Sequence, residues 1–271
     1  MTTQAPPALE TGWETTTPAD DTVLRRGALA MAATWEATGQ LSAGRVHRDE
    51  RLSAVDLGRP TGLFNSATLL RPVPDDDFEA TVAEVERFYD ESGTGAALLW
   101  CPWPTPDLTG RGWQLQGHPP LLYRPAGLPV ERRSPQGLTV EEVTTPRGLA
   151  EWSAVAVDAF PLAEVADPAA LFDPAVLDDE RFRFVAGRVD GRIVAVGCQV
   201  IVDGVNTLLL STVPAAERGR GYYAALVADR LAWAADLPSV TIVSDDSRPA
   251  LVGRFGFLPV SRFTLWERQR T

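Results

Sequence analysis

The residues whose types and spacing most clearly suggest chemistry are Ser211, Thr212, Val213, Pro214, Ala215, Ala216, Glu217, Arg218, Gly219, Arg220, Gly221, Tyr222 and Tyr223. An apolar strand pattern ends here, a turn of alternating arginine and glycine follows, and a helical pattern starts at once. The first turn of a helix exposes backbone N–H groups that have no partner inside the helix. With the positive end of the macrodipole they make an anion site. Gly219 and Gly221 lack side chains, so a phosphate can approach the main chain closely. Arg218 and Arg220 add charge and bidentate donors. The same residues also fit an ordinary glycine-rich turn with solvated arginines, and the surroundings have to decide between the two.

Composition removes other chemistries. The chain has 271 residues and no lysine, so all 25 basic side chains are arginine. There is no Walker-type lysine, no kinase lysine and no Schiff-base lysine. The only nitrogen or sulfur ligands are His47, His118, Cys101 and Cys198, far apart in sequence, so no metal site is expected. Both cysteines sit in apolar strand-like stretches and read as buried thiols. The balance of 25 positive and 36 negative side chains gives −11. That argues against nonspecific nucleic-acid binding and favours cationic small molecules. The arginine-only usage suggests a high-GC bacterium. No apolar stretch reaches the ~18 residues of a membrane span, and the N-terminus lacks a signal-peptide pattern. The expectation is a cytoplasmic protein with no membrane partner.

The elements around the arginine–glycine turn follow from period and punctuation. Residues 1–19 read as a loose arm with Trp13 as an anchor. Asp20 or Asp21 can cap a helix running to about residue 37, with Leu24, Ala28, Met31 and Trp35 on one face. Strands are expected at 44–47, 52–57 and 63–70, a helix at 77–91 and a strand at 96–100. The Pro/Gly-rich stretch 125–137 reads as a linker. After it come a strand at 138–143, then a helix capped by Thr145 with Pro146 at its first position. A further helical stretch is expected within 167–179. Asp190-Gly191 and Asp203-Gly204 lie between apolar runs, so 182–213 should be an antiparallel meander. A helix at 222–235, a strand at 239–244, a short helix at 248–255 and one last strand at 260–267 complete the pattern.

The two halves repeat. The run from Pro106 to Arg111 matches the run from Pro249 to Arg254 at an offset of 143 (249 − 106), and Gly112-Trp113 matches Gly256-Phe257 after one inserted residue. The same offset superimposes a helix and a strand, which points to duplication.

Meander, arginine–glycine turn, helix, strand, short helix with Gly-Phe, and strand together resemble the GNAT acetyltransferase superfamily. Its Gln/Arg-x-x-Gly-x-Gly/Ala signature reads here Arg218, Gly219, Arg220, Gly221, Tyr222, Tyr223. The resemblance covers 138–271 and, more faintly, 20–124 as a degenerate copy. It implies an α/β fold of mixed sheets, as two tandem GNAT-like domains at 20–124 and 138–271, each a mostly antiparallel central sheet flanked by helices. It implies acetyl-CoA or another acyl-CoA as co-substrate, with no metal. Thr212, Val213, Arg218, Gly219, Arg220, Gly221, Tyr222 and Tyr223 would bind it. The acceptor would be a small-molecule amine, in a pocket near Phe160, Leu162, Phe172 and Gln199, in a monomer or homodimer.

Three positions depart from the family. Tyr223 replaces the small sixth signature residue. The asparagine often found after the following strand falls at Asp245. The tyrosine that commonly acts as general acid is replaced by Val252. Candidate helpers are Tyr222, Tyr223, Ser211, Asp245 and Ser247, each with a structural alternative: Tyr223 shares a helical face with Leu226 and Val227, and Asp245 and Ser247 can cap the short helix. The rivals to an acyltransferase are a non-catalytic acyl-CoA-binding or scaffold protein, and a GNAT-like enzyme of other thioester chemistry. At the matching position the first half carries Asp75, Asp76 and Asp77, which would repel a pyrophosphate, so one coenzyme per chain is expected.

Overall fold

Asp190 and Gly191 have φ of 50° and 76°, and Asp203 and Gly204 have φ of 50° and 68°. Two successive positive φ values give the type I′ turn, whose twist matches that of antiparallel strands. The meander is therefore built from β8 (Phe182–Val189), β9 (Arg192–Val202) and β10 (Val205–Thr212). The computed structural model describes residues 11–269 apart from 15, 161, 163 and 243–246.

The first half comprises α1 (Val23–Leu41), β1 (Arg45–Arg48), β2 (Leu52–Asp56), β3 (Asn65–Leu69), α2 (Asp75–Ser92), β4 (Ala96–Cys101), β5 (Trp113–Gly117) and β6 (Pro120–Arg124). In the second half β7 (Thr139–Glu142) and α3 (Pro146–Ala159) precede the meander. After it come α4 (Tyr222–Trp233), β11 (Ser239–Ile242), α5 (Arg248–Phe255), β12 (Leu258–Arg262) and β13 (Thr264–Gln269). These strands form two mostly antiparallel sheets flanked by helices, a mixed α/β fold. One has the order β1-β2-β3-β4-β13-β5 and the other β12-β6-β11-β10-β9-β8-β7.

Each sheet takes an interior strand from the other half of the chain. β13 pairs with β4 and β5, while β6 pairs with β11 and β12. The two strands are repeat partners, since Thr264 lies 144 residues after Pro120 (264 − 120), as Gly256 does after Gly112. The stretch expected as one last strand is thus two, separated only by Phe263. One residue is too short for a hairpin reversal, which takes at least two, so the chain runs on into the other sheet. The two crossings touch: Phe263 N donates to Pro119 O at 3.0 Å, and Arg262 Nη1 to His118 O at 2.7 Å. Accordingly the 125–137 stretch does not separate the strands of one sheet from those of the other.

α1 lies between the sheets and is buried on nearly every side, not on one face as its apolar spacing suggests. Its small residues permit this. A Cβ on Gly39 would lie 2.7 Å from Val55 of the first sheet, and one on Gly27 3.0 Å from Leu121 of the second. Trp35, Val55 and Phe64 from the first half share a core with Trp152, Phe172 and Phe184 from the second.

Three local features differ from the sequence expectation. The cap of α1 is Thr22, whose hydroxyl accepts from Arg25 N, in place of Asp20 or Asp21. The helical stretch within 167–179 is two single 3-10 turns, Pro168–Ala170 and Pro174–Leu177, capped by Asp167 and Asp173. Pro174 has no N–H and its ring would clash with the carbonyl four residues back, so no continuous helix forms. Residues 63–64 belong to a 3-10 turn (Gly62–Phe64) that precedes β3. Trp13 stacks against Trp103 at 4.9 Å, with the Arg25 guanidinium over its ring. Among the described residues no helix is long and apolar enough to cross a membrane.

Candidate active site

α1 and α3 begin on Thr22 and Thr145, whose side chains accept backbone N–H bonds of the first turn. α4 begins on Gly221, which has no side chain to do this. Its first-turn N–H groups are left without a capping side chain, at an exposed loop spanning 218–221. Gly219 and Gly221 have φ of 78° and 84°. A Cβ on Gly219 would meet nothing within 4 Å. What selects glycine there is the left-handed backbone.

The two arginines of the loop behave differently. Arg218 turns back, its Nε donating to Val213 O at 3.1 Å. Arg220 pairs with Glu217, which also accepts from Arg192 at 2.7 Å. Glu217 is buried at 6% exposure, so this carboxylate fixes the loop from beneath. Tyr222 is buried in a cluster with Leu138, Val185 and Leu226, which leaves only its backbone for a ligand. Val213 belongs to the same cluster, and Thr212 Oγ1 donates to Ala159 O at 3.1 Å, tying the strand end to α3.

Next to the loop, among the described residues, β10 pairs in parallel with β11 at Asn206↔Ser239 and Thr207↔Val240, and β10 continues five residues beyond Thr207 to Thr212. Past that point Thr241 Oγ1 donates to Leu208 O at 2.9 Å, a side chain where a ladder bond would be. The ladder with β9 slips between Leu209 and Thr212, and Leu210 takes φ 44°. The described pairing of the two strands thus ends beside the uncapped start of α4.

Of the catalytic candidates, Tyr223 and Ser247 are brought together. Ser247 occupies the N-cap position of α5 without capping it, and its side chain hydrogen-bonds with Tyr223. Burial pushes the Tyr223 phenol above its ordinary range, opposed by the nearby Arg230 charge and by the Ser247 bond. Asp245 lies outside the described residues. Val252 packs half-buried against a cluster with Leu251 and Phe255.

The acceptor-side residues are placed differently from the expectation. Leu162 and Phe172 are fully buried, and Phe172 packs edge-on against Phe64, Trp152 and Phe184. Gln199 sits directly across from Arg183 and Leu208, and cross-strand partners share a face. Arg183 pairs with Asp229 of α4 and Leu208 packs on α4, so Gln199 points to the α4 side, away from Phe172. Strand alternation reverses with a shift of one residue, and that decided the face.

Arg230 was not among the sequence candidates. It is fully buried on α4 and hydrogen-bonds to β9 and β10 at the bulge. The available signal was Gly197, an isolated glycine inside a strand pattern, which marks close approach of another group.

Both cysteines are free and buried, and burial raises both thiols, that of Cys198 to about 12. His47, Asp49 and Glu84 bring ligand atoms within 4.8 Å of one another in the first half. Arg51 already bridges Asp49 and Glu84 at 3.1 and 3.0 Å, so a metal ion would have to displace a guanidinium.

No family profile matches the chain, and no curated protein matches it. Solved structures do. A GCN5-related N-acetyltransferase from Kribbella flavida superposes with a TM-score of 0.64 at 20% identity, over 89% of this chain and 96% of its own. A structure from Novosphingobium aromaticivorans described as an acetyltransferase of the GNAT family gives 0.54 at 19%, over 90% and 99%. A tandem GNAT protein from the clavulanic acid biosynthesis pathway gives 0.53 at 14%, over 83% and 78%. With an uncapped glycine-started helix beside the bulged end of β10, the chain has the fold of these GNAT structures.

Proposed function

We propose that the protein is an acyltransferase that moves an acyl group, acetyl in the first instance, from coenzyme A to the amine of a small molecule. The observation that carries this reading is the pairing of an uncapped, arginine-flanked helix start at Gly221 with the bulged end of β10 beyond its described pairing with β11. The pyrophosphate would lie on the N–H groups of 219–223 with Arg218 and Arg220 beside it. The pantetheine arm would run along Thr212 and Val213 at the end of β10. The sheet of β7–β12 with β6 would form the coenzyme unit, and the sheet of β1–β5 with β13 a copy without the site.

In the reaction the neutral amine attacks the thioester carbonyl, the C–N bond forms, the C–S bond breaks, and the thiolate takes up a proton. A thiol of pKa ~8.5 leaves tolerably as thiolate. Acid assistance adds typically ~10²–10⁴, while holding amine and thioester together contributes up to ~7–11 kcal/mol. Tyr223, kept protonated by burial and bonded to Ser247, is the proposed acid in place of Val252. Water or a carboxylate accepts the proton of the amine. A cationic acceptor suits the chain: residues 158–180 contain Asp158, Glu164, Asp167, Asp173, Asp178, Asp179 and Glu180 and no basic residue. We place the protein in the cytoplasm.

The test is turnover of acetyl-CoA against a panel of amines, read by thiol release and product mass. Acceptor-dependent thiol release supports the proposal, and its absence across the panel with intact coenzyme binding favours the second reading. That reading, a non-catalytic acyl-CoA binder, draws on Val252 standing where the acid usually is.

A further inference from the structure

We propose that Arg230 is a positioning residue whose buried guanidinium holds the β10 bulge, and with it the end of β10 along which the coenzyme arm would run. The link to coenzyme rests on the function proposed above, whereas the clamp itself rests on geometry alone. Between Leu209↔Cys198 and Thr212↔Val196, β10 advances three residues while β9 advances two. The extra residue puts Leu210 at φ 44°, a left-handed conformation in a buried leucine. Non-glycine residues avoid that region and occupy it only where the surroundings impose it.

The imposing group is Arg230. Its Nη1 donates to Cys198 O at 2.8 Å and Leu209 O at 3.4 Å, and its Nη2 donates to Ser211 Oγ at 2.7 Å. One planar fork thus grips β9 and both sides of the extra residue in β10. Its Nε donates to Leu226 O one turn back on α4, which orients the fork. A Cβ on Gly197 would lie 2.8 Å from the guanidinium carbon, so glycine is what allows the group to lie against β9. All four bonds go to uncharged oxygens, three carbonyls and a hydroxyl. A lysine could not reproduce this planar arrangement of donors. Burial without a hydrogen-bonded carboxylate lowers its pKa to about 10, so the charge is kept at a cost. The first half supplies the contrast. α2 also has a single basic residue, Arg87, which is exposed, and the β2–β3 ladder beside it runs without a register shift.

The test uses the full chain with two probes, coenzyme A and adenosine 3′,5′-bisphosphate. The second probe carries the adenosine, the 3′-phosphate and the first phosphate of the pyrophosphate, without the second phosphate or the pantetheine arm. In Arg230→Lys and Arg230→Met, coenzyme A affinity should fall about ten-fold or more, while affinity for the bisphosphate changes little. A general loss of structure would weaken both. Amide hydrogen exchange at 209–212, measured without ligand, should speed up in the same variants. If Arg230→Met does not fold, Gly197→Ala displaces the guanidinium with its charge intact and should give the same split at smaller size. Folded variants with wild-type coenzyme affinity and unchanged exchange overturn the inference. So does equal weakening of both probes. If the wild-type protein binds neither probe but exchange at 209–212 rises in the variants, the clamp stands and the coenzyme reading falls.

Discussion

The two halves of this chain share a parallel strand pair with a helix crossing between, and differ in what happens at its end. In the first half β3 pairs with β4 at Ser66, Ala67 and Thr68 and stops one residue later at Leu69. In the second, the described pairing stops at Thr207 but β10 goes on to Thr212 with a bulge. The helix after β3 starts with three aspartates behind Pro74; the helix after β10 follows two arginines that alternate with two glycines. The difference teaches that fold and site are separable. The first half has comparable packing, which needs only alternating apolar residues, without the bulge, the left-handed glycines and the positive charge at this helix start.

The largest expected effect tests whether the halves are independent at all. Residues 138–271 expressed alone should not fold, because the slot of β6 between β11 and β12 would be empty and β13 would have neither of its partners. A typical total stability of about 5–15 kcal/mol leaves little margin for losing an interior strand. A cooperative thermal transition in that fragment would show that the exchange is dispensable.

Next comes the contrast between helix entrances. Arg218→Glu and Gly221→Val should each weaken coenzyme A binding about ten-fold or more, the first by reversing charge, the second by forcing a β-branched residue to φ 84°. Asp76→Ala and Asp77→Ala should leave affinity unchanged, and calorimetry should give one coenzyme per chain. A second site, or loss of binding through the aspartates, would erase the distinction between the halves. Two like charges ~4 Å apart repel by about 4 kcal/mol at an effective dielectric of 20, which is why the aspartate end should stay empty.

A smaller effect concerns Tyr223. Tyr223→Phe should lower kcat by roughly 10² and Ser247→Ala by less. The active phenol is the protonated one, and its pKa is raised above 10, so the alkaline loss of rate should begin above pH 10 and be absent in Tyr223→Phe. The same shift predicts that its stabilising contribution is whole below pH 10 and declines above it. An alkaline limb below pH 9 that survives in Tyr223→Phe would assign the acid elsewhere. The least change is expected from thiol reagents: Cys101 and Cys198 should react only as the protein unfolds, because burial holds both as thiols.

Much of this was legible where the physics is local. The Asp-Gly turns, the Thr145-Pro146 helix start and the arginine–glycine loop are each decided within a few residues. The α1 cap lies one residue beyond Asp21 and two beyond Asp20, because Asp20, Asp21 and Thr22 can all accept an N–H and only the packing of α1 decides which one does. The sequence leads to one strand at 260–267 and to none at 120–124, where Pro120-Leu121-Leu122-Tyr123-Arg124 does not alternate, and alternation in any case does not say which neighbour a strand chooses. Nor does an apolar helix reveal whether its one arginine points to water, as Arg87 does, or into the sheet, as Arg230 does. Gly197 hinted at the second, and its meaning needed the distance to a side chain 33 residues away in sequence (230 − 197).

The strand exchange also sets an order of assembly during synthesis. β4 and β5 are complete by Gly117, but the strand that belongs between them begins at Thr264, 147 residues later (264 − 117). At about 5–20 residues per second the ribosome takes roughly 7–30 s to cover that stretch. During this interval β4 and β5 hold two facing strand edges open, with the apolar run Ala96–Cys101 on one of them. β6 likewise waits for β11 and β12. Neither half can be finished before the other, so the nascent chain passes through a stage in which unpaired edges must be kept from pairing with those of another chain.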